Sequence, residues 1–172
     1  MTTSAVHPAA DVVEVAIRIN PAAAGKVFEF SKPVLFTPKD GEICGGWVKG
    51  ASGKVSDVTD NQFTITIDKA SKSHASMGHL RDVVSGKKYV FEADFKSDLS
   101  NMAYLEAKYY KNNKEIKRKQ AYSKGLGNEG KLVLEINTDG CDRLLLQCRI
   151  PGSDRFVGKK VVFSNFKFKE VK

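Results

Sequence analysis

Tryptophan, histidine and cysteine are scarce in this chain of 172 residues, which has one tryptophan, three histidines and three cysteines. The cysteines, Cys44, Cys141 and Cys148, are odd in number, and no two of them have the CxxC spacing of a zinc site. We therefore expect neither structural zinc nor a disulfide framework, and a single Cys141–Cys148 bridge stays open. This cysteine usage fits a reducing compartment slightly better than an oxidising one.

Long apolar runs are also absent. No stretch approaches the about 18 uninterrupted apolar residues of a membrane helix. The N-terminal residues, MTTSAVHPAADVVEVAIRIN, lack the basic start and apolar run of a secretion signal. We predict a soluble chain with no membrane partner.

Catalytic signatures are missing as well, since the sequence has no HExxH, GxSxG or phosphate-binding glycine loop. His74, His79 and Asp82 lie close together in SHASMGHLRD, a combination that suits metal binding or acid–base chemistry. Without a nucleophile or a third well-spaced ligand, a loop with incidental histidines explains them better. Glu92 and Asp94 form a carboxylate pair of a kind that is common on solvated strands. We predict that the protein is not an enzyme.

Alternation of apolar and polar residues dominates the rest of the sequence and predicts β-strands. The alternating segments are 13–19, 62–67, 88–96, 132–137, 143–150 and 161–168. Turn signals such as PKDGE, VSGK and LGNEG separate them, and a phase slip at Ser164-Asn165 predicts a bulge. About nine to eleven short strands without a convincing helix indicate an all-β fold, either a β-sandwich or a closed antiparallel barrel.

The segment 103–122, AYLEAKYYKNNKEIKRKQAY, is the most ambiguous one. A helix would align Met102, Leu105 and Tyr109 on one side. A hairpin that turns at Asn112-Asn113 instead places alternate residues on opposite sides. Its inward residues would be Ala103, Leu105, Ala107 and Tyr109, and its outward residues Tyr104, Glu106, Lys108 and Tyr110. Because the neighbouring segments are strands, we predict the hairpin.

The net charge of +8 and the pI near 9.3 favour anionic partners. Lysines interleave with tyrosines in the predicted hairpin, an arrangement that suits phosphates or sulfates beside stacked bases. The hairpin also contains Glu106 and Glu115, however, and the chain has no RNA-binding signature or groove-reading helix. A solvated edge that resists aggregation explains the lysines better, so nucleic acid is not the expected partner.

Three stretches resemble the jelly-roll carbohydrate-binding modules appended to bacterial glycanases. They are VSGKKYVFEADFKSD, GKLVLEINTDGCDRLLLQCRI and GKKVVFSNFKF, and the resemblance extends over about residues 28–170. It implies a single-domain antiparallel jelly roll at residues 26–172, preceded by an N-terminal arm with an early strand at residues 1–25. It also implies a structural calcium ion beside an acidic residue of the closing strand. Ser164 and Asn165 occupy that place here, so we predict no cofactor, and a structural calcium ion stays open. Lys131 replaces a tryptophan common in the family, so the aromatic surface is expected to be thinner than usual.

Modules of this kind are expected to lay sugar rings on aromatic side chains while polar groups bind the hydroxyls. The predicted ligand-binding residues on one exposed sheet face are Tyr104, Tyr110, Glu92, Asp94, Gln147 and Arg149. Trp47, beside two glycines in GGWVKG, is a further candidate.

The predicted function is a non-catalytic carbohydrate-binding module for an acidic or β-linked polysaccharide, and the basic balance favours an acidic one. The alternative is a structural or decoration protein of a virus particle or other assembly, with protein partners held by the N-terminal arm. The first function implies an extracellular module trimmed from a larger protein, and the second an intracellular or virion location.

Overall fold

The computed structural model describes residues 41–43 and 45–171. Within them lie ten strands: β1 (Val48–Lys49), β2 (Lys54–Thr59), β3 (Gln62–Thr66), β4 (Ala75–Asp82), β5 (Lys88–Ser97), β6 (Tyr104–Lys111), β7 (Lys114–Tyr122), β8 (Glu129–Asn137), β9 (Arg143–Ile150) and β10 (Lys160–Glu170). A short 3₁₀ turn at Asp154–Phe156 precedes β10. None of the helical structure in this part of the chain is long and apolar enough to cross a membrane. The predicted arm at 1–25, the start of the domain at 26 and Cys44 lie outside the described residues.

The strands form two five-stranded sheets whose named strands pair antiparallel. The front sheet has the order β1-β4-β9-β6-β7, and the back sheet has the order β2-β3-β10-β5-β8. Because most neighbours in each sheet are not consecutive in sequence, the chain crosses repeatedly between the two layers. The predicted all-β antiparallel sandwich is confirmed, and segment 103–122 forms the hairpin β6–β7.

One side of each sheet faces a shared apolar core. The back sheet contributes Phe63, Ile65, Phe91, Leu134 and Phe163 to the core, and the front sheet contributes Leu105, Tyr109, Leu144, Leu146 and Cys148. Each set follows the period of two expected from alternate side chains of a strand. Cys141 and Cys148 are buried free thiols, so the bridge between them is not formed.

Asparagines occupy two places where the backbone adopts a left-handed conformation. Asn112 and Asn113 have φ of 50° and 63° at the turn between β6 and β7, and Asn165 has a φ of 54° in β10. The pairing of β10 with β5 shifts between Ser164 and Lys167. The predicted bulge is therefore confirmed, and it uses the residue type that best tolerates a left-handed backbone after glycine.

The histidine-containing segment is a strand, which corrects the prediction of a loop. It forms β4, which pairs along its whole length with β9, from Ala75 opposite Ile150 to Asp82 opposite Arg143. His79 lies on the core side of β4, whereas Asp82 lies on the opposite side. No group of three or more His, Cys, Asp or Glu side chains within 41–43 and 45–171 is arranged to hold a metal ion.

Candidate functional site

The front face is the side of the front sheet that points away from the core. Strand pairing aligns its polar residues in rows that cross the strands, because directly opposed residues share a face. One row contains Ser76, Arg149, Tyr104 and Tyr122, and the next contains Gly78, Gln147, Glu106 and Gln120. Of the predicted site residues, this face therefore brings together Tyr104, Gln147, Arg149 and, two rows further along, Tyr110.

Tyr122 belongs to this face although the sequence did not single it out. A regular hairpin that turns at Asn112-Asn113 would pair Tyr104 with residue 121. The register shifts between Tyr109 and Tyr110, where Ile116 is the extra residue of β7, and Tyr104 pairs with Tyr122. A slip of one residue reverses the side on which a side chain lies, so this bulge places Tyr122 on the front face.

Tyr104 and Tyr122 form an aromatic pair with one buried and one exposed ring. Their centroids are 5.0 Å apart at an interplanar angle of 24°, and Tyr104 is 1% exposed while Tyr122 is 55% exposed. Tyr104 thus lies on the predicted face, but the prediction that it is exposed there is wrong, because Tyr122 covers its ring. The Tyr104 hydroxyl bonds to Nδ1 of His74, and the Arg149 guanidinium lies 5.5 Å from the centre of its ring. Burial raises the pKa of Tyr104 and lowers the pKa of His74. The nearby positive charge of Arg149 lowers the pKa of His74 further.

Glu106 is fully buried although it lies on the outward side of its strand. One carboxylate oxygen accepts from Arg149 Nη1 and the other from Gln120 Nε2. The Tyr122 hydroxyl in turn donates to Gln120 Oε1 at 2.6 Å. The carboxylate is therefore compensated by charge and hydrogen bonds, as a buried ion requires.

Two buried polar atoms of the front face have no partner among the residues that the structure describes. Gln147 donates through Nε2 to Ser76 Oγ at 3.3 Å, which leaves its Oε1 unused, and Arg149 Nε is unused as well. Buried polar atoms are nearly always hydrogen-bonded, to protein or to ordered water. One acceptor and one donor on β9, two residues apart, are therefore buried without a partner in the described part of the chain.

The far end of the front face carries ion pairs. Arg143 donates to Asp82 at 2.8 Å, and Glu115 accepts from Arg118 Nε at 3.0 Å and lies 3.6 Å from Lys108 Nζ. In the strand register, Tyr110 lies opposite Arg143 of the first pair and opposite Glu115 of the second. Its pKa is raised by burial and by the nearby Glu115.

Three predicted site residues do not lie on the front face. Glu92 and Asp94 belong to β5 of the back sheet, so the prediction that they share one exposed face with Tyr104 is wrong. Trp47 is only 7% exposed and packs its ring against Phe63 and Phe166, with centroids 5.1 and 4.6 Å away. It belongs to the core rather than to an exposed platform.

Comparison with known proteins identifies the fold. No protein-family model matches the sequence, and no curated protein matches it either. Among solved structures, a CBM4 module superposes with a TM-score of 0.53 at 13% identity, covering 73% of this chain and 86% of that chain. The CBM22-1 xylan-binding domain of Paenibacillus barcinonensis Xyn10C gives 0.52 at 13% identity, with 79% and 99% covered.

A longer protein also contains the fold. The enzymatically active domain of tailspike protein 4 from bacteriophage CBA120 gives a TM-score of 0.54 at 8% identity, over 73% of this chain. The matched region is 19% of that chain, so this chain spans about a fifth of it. At such identities the likeness establishes the fold, and this chain has the jelly-roll fold found in carbohydrate-binding modules.

Proposed function

We propose that the protein is a non-catalytic carbohydrate-binding module whose front face binds a polysaccharide. The observation that carries this proposal is the pair of buried, unpartnered polar atoms, Gln147 Oε1 and Arg149 Nε, on the same face as the exposed ring of Tyr122. Both atoms are covered in this structure, so a sugar hydroxyl, which both donates and accepts, would satisfy them only after a small side-chain movement exposes them to the ligand.

Each front-face residue has a distinct role in this proposal. The exposed ring of Tyr122 stacks on the apolar C–H side of a sugar, and Tyr104 supports that ring from below. Glu106 and Gln120 fix the orientations of Arg149 and Tyr122 through the hydrogen bonds described above. Tyr110, at the other end of the face, provides a further contact for a longer chain. The Tyr122 ring is thus held in place before the ligand arrives, which lowers the entropic cost of binding.

The charges of the front face favour a neutral polysaccharide over the acidic one suggested by the net charge. Arg149 pairs with Glu106, Arg143 with Asp82, and both Arg118 and Lys108 with Glu115. A uronate would have to compete with these carboxylates for each cation. The xylan-binding domain among the structures of the same fold makes neutral β-linked xylan the first ligand to test.

Affinity electrophoresis and calorimetry with xylan, a neutral β-glucan and a polyuronate would test the proposal. We expect binding to one of the neutral polymers, and Tyr122→Ala to weaken it about 30-fold, the effect of losing an aromatic contact worth ~2 kcal/mol. Val133→Ala is the matched control, because Val133 is an exposed apolar side chain on the back sheet. Unchanged binding in Tyr122→Ala, or no binding to either neutral polymer, contradicts the proposal.

A further inference from the structure

The β10 bulge places Ser164 and Asn165 where the family resemblance implies an acidic residue followed by Asn or Asp, beside a structural calcium ion. Asn165 is exposed and adopts a left-handed conformation between Ser164 and Lys167. On the neighbouring strand β5, Asp94 lies opposite Ser164, and on the next strand, β8, Lys131 lies opposite Asp94. The bulge therefore brings an amide, a carboxylate and an ammonium group together across three adjacent strands.

Hydrogen bonds join these groups to the turn before β3. Asn165 Nδ2 donates to Asp94 Oδ2 at 2.8 Å, and Asn61 Nδ2 donates to Asn165 Oδ1 at 3.0 Å. The backbone N–H of Asn165 donates to the carbonyl of Asn61 at 3.2 Å, and Lys131 Nζ lies 4.0 Å from Asp94 Oδ1. An ionised carboxylate only accepts, so the Asn165 amide must turn its NH₂ group towards Asp94. Both Asp94 oxygens then face donors, and the Asn165 oxygen is occupied.

These groups do not fit a calcium ion. Ca²⁺ takes about six to eight oxygen ligands, mostly carboxylates and carbonyls. The cavity here has a volume of about 210 Å³, and its lining residues include Glu42, Asp94, Lys131 and Lys167. The formal charges of these two acidic and two basic residues balance without a metal. As already noted, the described residues offer no set of three His, Cys, Asp or Glu side chains for a metal.

We propose that Lys131 and Asn165 hold Asp94 in place of a calcium ion, so the back sheet closes around β10 without a metal. Lys131 supplies the positive charge, and the Asn165 amide supplies the directed contact that links β10 to β5 and to the turn at Asn61. The protein is then stable in the presence of a chelator, independently of what its front face binds.

Thermal unfolding followed by circular dichroism, in EDTA and in millimolar calcium chloride, tests the proposal. We expect the parent protein to melt at the same temperature in both, to within about 1 °C, because a ligand of the native state alone would raise Tm. Lys131→Gln should lower Tm by about 2–4 °C in both solutions. The control Lys96→Gln, which removes a more exposed pair with Glu129 at 3.6 Å on the same two strands, should change Tm by less than about 1 °C.

The variant Asn165→Asp places a second carboxylate against Asp94 while keeping a residue type that accepts the left-handed backbone. We expect it to lower Tm in EDTA by about 4 °C or more through like-charge repulsion, and calcium to recover part of that loss. Asn101→Asp, at another left-handed position with φ of 59°, should show no calcium response. A calcium-dependent Tm in the parent overturns the proposal, as does a Lys131→Gln variant that melts like Lys96→Gln, or an Asn165→Asp variant that melts like the parent.

Discussion

The outward faces of the two sheets differ in how they hold their polar residues, although both alternate apolar and polar positions along their strands. On the front face, Glu106 and Tyr104 are buried and bonded to neighbouring side chains. On the back sheet, Lys96 and Glu129 form an ion pair whose side chains are 78% and 72% exposed. Alternation therefore separates core from non-core positions, but it does not distinguish an outward face with buried, bonded polar side chains from a solvated one.

The burial of polar groups is what makes the front face a candidate site. A buried carboxylate or guanidinium group costs free energy unless its partners are in place, so such groups order one another. In the described part of the back sheet, Asp94 has partners in Asn165 and Lys131, but its side chain is 37% exposed. The two faces thus offer matched pairs of residues with which to test the comparison.

The largest expected effect comes from removing the buried carboxylate. Glu106→Ala leaves the Arg149 guanidinium without its partner in a site that excludes water, and we expect a loss of about 3–5 kcal/mol in the free energy of unfolding. Glu92→Ala, the corresponding change on β5 of the back sheet, should stay within about 0.5 kcal/mol. Urea-induced unfolding of both variants measures the difference, provided that the m-values agree with the parent. Equal losses would mean that the two faces are energetically alike.

The sequence predicted the sandwich because burial in a strand has a period of two. Tyr109 is buried while Tyr110 is only half-buried, as the alternation in segment 103–122 requires. The turn at Asn112-Asn113 and the bulge at Ser164-Asn165 were also predictable, since both depend on local backbone preferences of the residues themselves.

Features that depend on distant contacts were not predictable in this way. Nothing local assigns the strand of Glu92 to one sheet rather than the other, because that choice follows from which strands pair. The extra residue Ile116, which brings Tyr122 to the front face, has no signal of its own in the sequence. β4 was missed because Gly78 and His79 interrupt the apolar alternation between Met77 and Leu80.

A smaller effect is expected from pH, and it arises from the front sheet. Burial against Trp47, aided by Arg81, lowers the pKa of His79 to about 4, from about 6.5 in the unfolded chain. The unfolded chain therefore binds more protons between those values, and the stability from neutral His79 is complete above pH ~6.5 and lost as the pH falls towards ~4. Because the ring is partly exposed, we expect a loss on the order of 1–2 kcal/mol.

Chemical unfolding at a series of pH values measures this slope. His79→Gln should flatten the dependence between pH ~6.5 and ~4 relative to the parent. His74→Gln serves as the comparison, since His74 has its pKa lowered in the same direction and contributes separately. The strands of the back sheet contain no histidine. If the double variant keeps the parent's dependence of stability on pH, groups other than His74 and His79 cause that dependence.

The smallest effect compares two ion pairs of equal length. Lys108 and Glu115 on the front face, and Lys96 and Glu129 on the back sheet, each have a separation of 3.6 Å. The front pair has side chains that are 22% and 29% exposed, so water screens it less than the back pair. Double-mutant cycles with alanine at each position should give a coupling energy of up to about 1 kcal/mol for the front pair and about 0–0.3 kcal/mol for the back pair.

Salt separates the two pairs further. Raising the ionic strength should abolish the coupling energy of the exposed pair Lys96–Glu129. The front pair should keep part of its coupling energy, because it is less exposed. Arg118 stays in place throughout, and because it also contacts Glu115, its presence lowers the front coupling rather than raising it. A larger coupling energy for Lys96–Glu129 than for Lys108–Glu115 would show that burial does not strengthen ion pairs on the front face. The proposal that buried polar groups hold the side chains of that face in place would then lose its physical basis.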